Sequence, residues 1–341
     1  PQPPPMCTAM PTMTAPREPS QTPAPAVDSR SPFVRLTELI AGLSPGRPPI
    51  NLSVGEPQHP VPAFVAPVLA ANIADFGRYP PNKGIDAFRT TIATWLGKRF
   101  KLPRAVDPDS EVLVLNGTRE GLFLAAISAA RWVGPRDGKP AVLIPNPFYA
   151  AYSAGAIAAG CEPVYLPATR EHDFLPDLDA LDEALSERTN ADYLASPSNP
   201  QGAVASPAYL ERLARLAQKH GFLVFADECY GELYSTDVPA GMLEASGPDF
   251  ANVVVFHSLS KRSNLPGLRV GFCAGDRRFL GAFLELRNVA APQVPIPAQA
   301  VAVAAYGDEA HVEDNRKLYT AKFDLADQIV GDRYGYKRPA G

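Results

Sequence analysis

The chain has 341 residues, 32 Lys+Arg against 36 Asp+Glu, 46% hydrophobic residues and a formal net charge of -4. That length and apolar content suit one large globular domain or two smaller ones and exclude a wholly disordered chain. Such mild acidity gives no electrostatic pull towards nucleic acid or an anionic membrane surface, so the expected partners are small molecules or other proteins.

Nine of the 38 prolines fall within residues 1–25, where aliphatic side chains are almost missing, and residues 1–30 are accordingly expected to form a disordered tail. No apolar run approaches the roughly 18 residues of a membrane helix, and no secretory h-region opens the chain. Cys7, Cys161, Cys229 and Cys273 are scattered without a CxxC pair, which argues against a disulfide framework or a zinc site and for a reducing cytoplasm.

From Ser31 the pattern changes. SPFVRLTELIAGL has apolar residues at helical spacing, and NLSVGEPQHPVP reads as a short extended piece ending in turns. VPAFVAPVLAANIADF and IDAFRTTIATWLGKRF predict two helices flanking the exposed loop YPPNKG. Strand-like and helix-like stretches then alternate: EVLVLNGT, GLFLAAISAARWV, AVLIPNP, YAAYSAGAIAAG, EPVYLP, LDALDEALSE and ADYLASPSNPQG. PAYLERLARLAQKHG is the clearest helix, with Leu210, Leu213 and Leu216 on one stripe and Gly221 as its C-terminal cap. FLVFADE, VVVFHSLSK and VGFCAG are three further strands, followed by helical RRFLGAFLELRNVA, PAQAVAVAAYG and EAHVEDNRKLYTAKFDLADQIVGDRYG.

Seven strands with helices between them indicate a three-layer α/β/α architecture around a mostly parallel sheet. The expected organisation is an N-terminal arm over residues 31–62, a large domain over 63–290, and over 291–341 the beginning of a small α/β domain that stops unfinished.

Ligands of α/β sheets bind beyond the carboxyl ends of the strands. Those ends carry Asn116, Gly117, Thr118 and Arg119, then Phe148 and Tyr149, Asn199, Asp227 and Tyr230, and finally Ser258, Ser260, Lys261 and Arg269. Together they describe a site for pyridoxal phosphate. That coenzyme needs a carboxylate beside its ring nitrogen, for which Asp227 is placed, and a primary amine to form an imine and move a proton, for which Lys261 is placed. The amine must work in its neutral form, and burial together with the Arg269 cation is expected to lower its pKa. Asn199 and Tyr230 can bond the phenolate oxygen and Tyr149 can stack on the ring. Backbone N–H groups of Thr118 and Arg119, the hydroxyls of Ser258 and Ser260 and the guanidinium of Arg269 can hold the phosphate. Singly, each has a plain structural explanation: a lysine after a strand is usually solvated, an aspartate is usually a helix cap, Tyr149 suits a core, and Cys229 is buried filler. Their joint order at successive strand ends favours chemistry.

SPSNPQG, ADECYGELY and SLSKRSNLPGLRVGF resemble the three signature segments of the class I/II aminotransferases, fold type I enzymes that use pyridoxal phosphate. The resemblance implies that Lys261 is the Schiff-base lysine, Asp227 the partner of the pyridine nitrogen, Asn199 and Tyr230 partners of the phenolate, and Arg269 and Ser258 phosphate ligands. It also implies that Gly55 lies near the substrate carboxylate and that Tyr79 reaches the phosphate of a neighbouring subunit, hence a homodimer with shared sites. Within the family, GEPQHPVP, RYPPNKG and SLSKRSNLPGLR most resemble the succinyldiaminopimelate transaminases of bacterial lysine biosynthesis, whose substrates are amino acids and 2-oxo acids. An aspartate or aromatic aminotransferase, a carbon–sulfur β-lyase, and a coenzyme-binding module without turnover remain the alternatives. The family's C-terminal arginine that grips the substrate α-carboxylate has no counterpart before Gly341. A nucleotide-binding fold finds no support, since GxGxxG is missing and GPRDGKP has the wrong spacing for a P-loop.

Overall fold

The computed structural model describes residues 32–341, so the tail expected over residues 1–30 lies outside the described residues. Residues 32–55 fall in one unit and Glu56–Gly341 in a second. The first unit contains helix α1 (Pro32–Leu39). In the second, α2 (Val65–Ala71) and α3 (Asp86–Arg99) precede strand β1 (Val112–Leu115). Then come α4 (Thr118–Val133), β2 (Ala141–Asn146), α5 (Ala150–Ala158), β3 (Glu162–Pro167), α6 (Glu183–Glu187), β4 (Thr189–Ala195), α7 (Pro207–His220) and β5 (Leu223–Asp227). The chain continues through α8 (Met242–Ala245), β6 (Val253–Ser258), α9 (Leu259–Arg262), β7 (Gly271–Gly275), α10 (Arg277–Ala290), α11 (Ile296–Gly307) and α12 (Ala310–Val330). Among the described residues no helix is long and apolar enough to cross a membrane.

Successive residues of a strand face opposite sides of its sheet, so a strand apolar at every position must be covered on both faces. Val112, Val114, Val253 and Val255 join one hydrophobic layer with Phe88 and Leu96 of α3, Leu210 and Leu213 of α7, and Val301 of α11. Leu113, Leu115, Val254 and Phe256 join the other, with Leu122 of α4, Tyr152 of α5 and Phe283 of α10. The result is the three-layer α/β/α fold with seven strands in the order β1-β7-β6-β5-β4-β2-β3. All pairings are parallel except those of β7, which runs antiparallel to both neighbours.

One stretch differs from its sequence reading. LDALDEALSE is not one helix: Asp177 caps a 3-10 turn (Leu178–Ala180) and Asp182 accepts from the Leu185 N–H to start α6. Two side-chain caps so close together interrupt the ladder between them. Residues 51–62 form no strand, in keeping with the short extended piece ending in turns expected there.

Candidate active site

Because β7 is antiparallel to both β1 and β6, those two strands run in the same direction as β2, β4 and β5. Their carboxyl ends therefore share one edge of the sheet. Register makes the neighbourhood concrete: Leu115 and Ser258 both pair with Gly271, and Ala195 pairs with Asp227. Every chain reversal after these strands opens onto the same edge.

Asp227 ends β5 and is 9% exposed. Its Oδ2 accepts from the Tyr152 hydroxyl at 2.7 Å and its Oδ1 from the Cys229 backbone N–H at 3.2 Å. Tyr152 is itself fixed, its ring stacked on Tyr193 with centroids 4.4 Å apart and an interplanar angle of 9°. Burial, then the Asp227 charge, push the Tyr152 phenol well above its ordinary pKa, so it remains a neutral donor to the carboxylate. Sequence reasoning missed Tyr152. The available signal was its position three residues after Tyr149, the residue that opens α5, and the two rings meet edge to face at 5.7 Å.

Lys261 follows β6 on α9, half-buried, with Nζ 5.7 Å from the centroid of the Tyr230 ring. Burial pushes its amine below the ordinary lysine value, against the opposing influence of Cys229 and Glu56. Burial, one of the two expected causes, sets this direction; the Arg269 cation is not among the groups that act on the amine. Tyr230 is held above its ordinary pKa by burial and by the Asp227 charge, which keeps its phenol protonated. Burial and Asp227 likewise raise the Cys229 thiol, which lies 3.2 Å from the Thr118 hydroxyl, so this cysteine packs rather than attacks.

An anion cradle lies where α4 begins. Gly117 precedes the helix at φ 74°, and a Cβ built on it would stand 2.2 Å from an Arg269 guanidinium nitrogen. The guanidinium thus lies directly against the first turn of α4, whose N–H groups of Thr118 and Arg119 have no intrahelical partner. Arg269, itself at φ 56°, is steadied by donating to the Pro266 carbonyl at 2.9 Å. Ser258 accepts from the Ser260 N–H at 3.1 Å and lies 2.9 Å from the Ser260 hydroxyl.

Further out, Arg119 Nε donates to the Tyr149 hydroxyl at 2.6 Å. Asn199 lies exposed on the loop after β4 and shares the lining of a cavity with Tyr149, Tyr152 and Gln201. Tyr79 stands apart, 95% exposed. Gly55 belongs to the other unit and is also exposed.

Residues 47–334 match the family of class I and II aminotransferases. The chain belongs to that family and is a pyridoxal-phosphate-dependent aminotransferase. The LL-diaminopimelate aminotransferase of Dehalococcoides mccartyi is 32% identical over 297 residues, 86% of this chain and 74% of the relative. An aminotransferase structure from Neisseria meningitidis is similar with a TM-score of 0.85 and 36% identity, over 92% of this chain and 80% of that one. A probable N-succinyldiaminopimelate aminotransferase from Thermus thermophilus is similar with a TM-score of 0.72 and 26% identity, over 82% and 73%.

The donor set suits the coenzyme. A cationic and N–H-lined cradle that a Cβ at Gly117 would fill, a carboxylate that accepts from two donors and an amine lowered by burial match a phosphate, a ring nitrogen and an aldehyde.

Proposed function

We propose that the chain exchanges an amino group between N-succinyl-diaminopimelate and 2-oxoglutarate, with glutamate as the returning donor, in lysine biosynthesis. The motifs GEPQHPVP and RYPPNKG and the name of the Thermus neighbour support this substrate. The name of the curated Dehalococcoides relative favours a second reading, in which free LL-diaminopimelate is the substrate. Offering each amino acid to the purified protein with 2-oxoglutarate and measuring glutamate separates the two. Turnover of neither would remove both.

The coenzyme, when bound, supplies a sink for the electrons left on the substrate α-carbon once its proton departs. On our reading Lys261 holds it covalently through Nζ. Freed from that bond by the incoming substrate amine, the half-buried Lys261 Nζ would take the proton from substrate Cα and give it back in the reverse half of the exchange. Asp227, itself positioned by Tyr152, pairs with the ring nitrogen and keeps a proton there. Asn199 and Tyr230 would donate to the coenzyme's phenolate oxygen, and Tyr149 would pack against its ring. The N–H groups of Thr118 and Arg119, the backbone of Gly117, the hydroxyls of Ser258 and Ser260 and the guanidinium of Arg269 grip the phosphate. Asn199 would also contact the substrate, and Gly55 is assigned to its carboxylate by the resemblance of SVGEPQHP. Tyr79, so exposed here, serves the phosphate of a second copy in a two-fold homodimer. The coenzyme-binding domain spans residues 63–290, with 31–62 and 291–341 assigned to a smaller domain. Four cysteines scattered without a CxxC pair suggest a reducing cytoplasm as the compartment.

The reading rests on the joint placement of Asp227, Lys261 and Arg269 at one sheet edge. Its test is the absorbance spectrum of protein mixed with pyridoxal phosphate, before and after borohydride. Wild type should show a visible band of lysine-bound coenzyme that reduction removes, and Lys261→Ala should lack it. Identical spectra for the two proteins would make the lysine assignment wrong.

A further inference from the structure

Helix α9 is only four residues long. The last four carbonyls of any helix have no partner within it, so a helix this short must find donor partners elsewhere. Asn315, on the second turn of α12 and 4% exposed, supplies them: its Nδ2 donates to the Lys261 carbonyl at 3.2 Å and the Arg262 carbonyl at 3.4 Å. Its Oδ1 accepts from Asn264 Nδ2 at 2.9 Å and from His59 Nδ1 at 2.8 Å. Both donors and both acceptor positions of the carboxamide are in use.

The outer end of this chain sets its direction. His59 Nε2 lies 2.7 Å from Lys322 Nζ, and an ammonium can only donate, so Nε2 accepts and the proton sits on Nδ1. This tautomer follows from the partners. The ring is further held edge-on to Tyr319 at 4.8 Å. Turning the Asn315 amide over would set two donors against its Nδ2 and two carbonyls against its oxygen. One turn earlier, His311 Nε2 lies 2.9 Å from Ser263 Oγ while Nδ1 lies 2.9 Å from Asp308. Despite its serine–histidine–aspartate make-up, this trio ties down a turn, because Ser263 is 0% exposed and no substrate reaches it. Arg262, next to Lys261, is 2% exposed, donates to the Ala305 carbonyl at 2.8 Å and lies 4.6 Å from the Tyr306 ring centroid.

We propose that Asn315 is a positioning residue for Lys261: from α12, locked by His59 and Lys322, it fixes the backbone of the turn that presents the amine. It touches neither coenzyme nor substrate. The inference takes Lys261 as the reacting amine, as the proposed function does. One arm of its test uses protein without coenzyme, so that failure here is distinct from failure of the spectrum of Lys261→Ala.

The measurement is the pH dependence of Lys261 acylation by an amine-directed reagent, read by peptide mass in coenzyme-free protein, alongside kcat and KM of the reconstituted enzyme. Cys229, Glu56 and Tyr230, which act on or lie near the amine, are the same in every variant. In Asn315→Leu the turn loosens, the amine meets more water and the acylation midpoint rises by about one unit. The same variant lowers kcat roughly 10- to 100-fold with KM for the amino donor little changed. His59→Phe keeps both donors to the turn but unlocks the amide, and should move both readouts in the same direction by a smaller factor. If Asn315→Leu does not fold, His59→Phe decides. A folded variant whose midpoint and kcat match wild type overturns the proposal.

Discussion

Gly117 shows how much a single missing atom can matter. At φ 74° an L-residue is strained, and a Cβ would displace the Arg269 guanidinium from 2.2 Å. Because the displaced group is the end of a flexible side chain, Gly117→Ala should fold at a cost of about 1 kcal/mol. It should bind pyridoxal phosphate about tenfold more weakly, the equivalent of losing one charge-assisted contact. Absorbance titration with the coenzyme checks this, and an unchanged dissociation constant would remove Arg269 from the phosphate cradle. Asp227, Lys261 and Arg269 were legible as residues because coenzyme chemistry demands those side-chain types after strands. Tyr152 and Asn315 were not, since each acts on a partner brought near only by folding, 75 residues away for Tyr152 and Asp227.

At the level of elements, legibility followed local signals. Helix α7 carries all of them: the Ser206 hydroxyl accepts from the Tyr209 N–H, Pro207 occupies the first turn, and Gly221 closes the helix at φ 70°. Leu210 and Leu213 are buried and Leu216 half-buried, as the stripe requires. Ser206→Ala should therefore cost about 1 kcal/mol, seen as a lower urea midpoint with an unchanged slope. The paired caps at Asp177 and Asp182 were overlooked because apolar spacing runs on through them. Helix α9 was not foreseen either, since one turn is too short to display a period.

For the whole molecule, the buried carboxyl of Asp192 links folding to pH. It lies in β4 beside Leu143 and Val224, 3% exposed, and burial pushes its pKa from 3.8 to about 8. The folded chain thus binds this proton more tightly than the unfolded one, so stability falls as pH rises from about 4 towards 8. Urea unfolding at pH 5 and pH 8 should show wild type losing a few kcal/mol that Asp192→Asn retains. Equal losses in the two proteins would mean that Asp192 is ionised in the native state.

Strand and helix alternation, the strand-end lysine and aspartate, and the family they announce were contained in the chain itself, because periodicity and covalent neighbours carry that information locally. Only the folded molecule decided that β7 runs against its neighbours, that Tyr152 holds Asp227, that burial rather than Arg269 lowers the Lys261 amine, and that α12 grips the lysine turn. Each of those depends on desolvation or on contacts between segments far apart in sequence, which do not exist until the layers close.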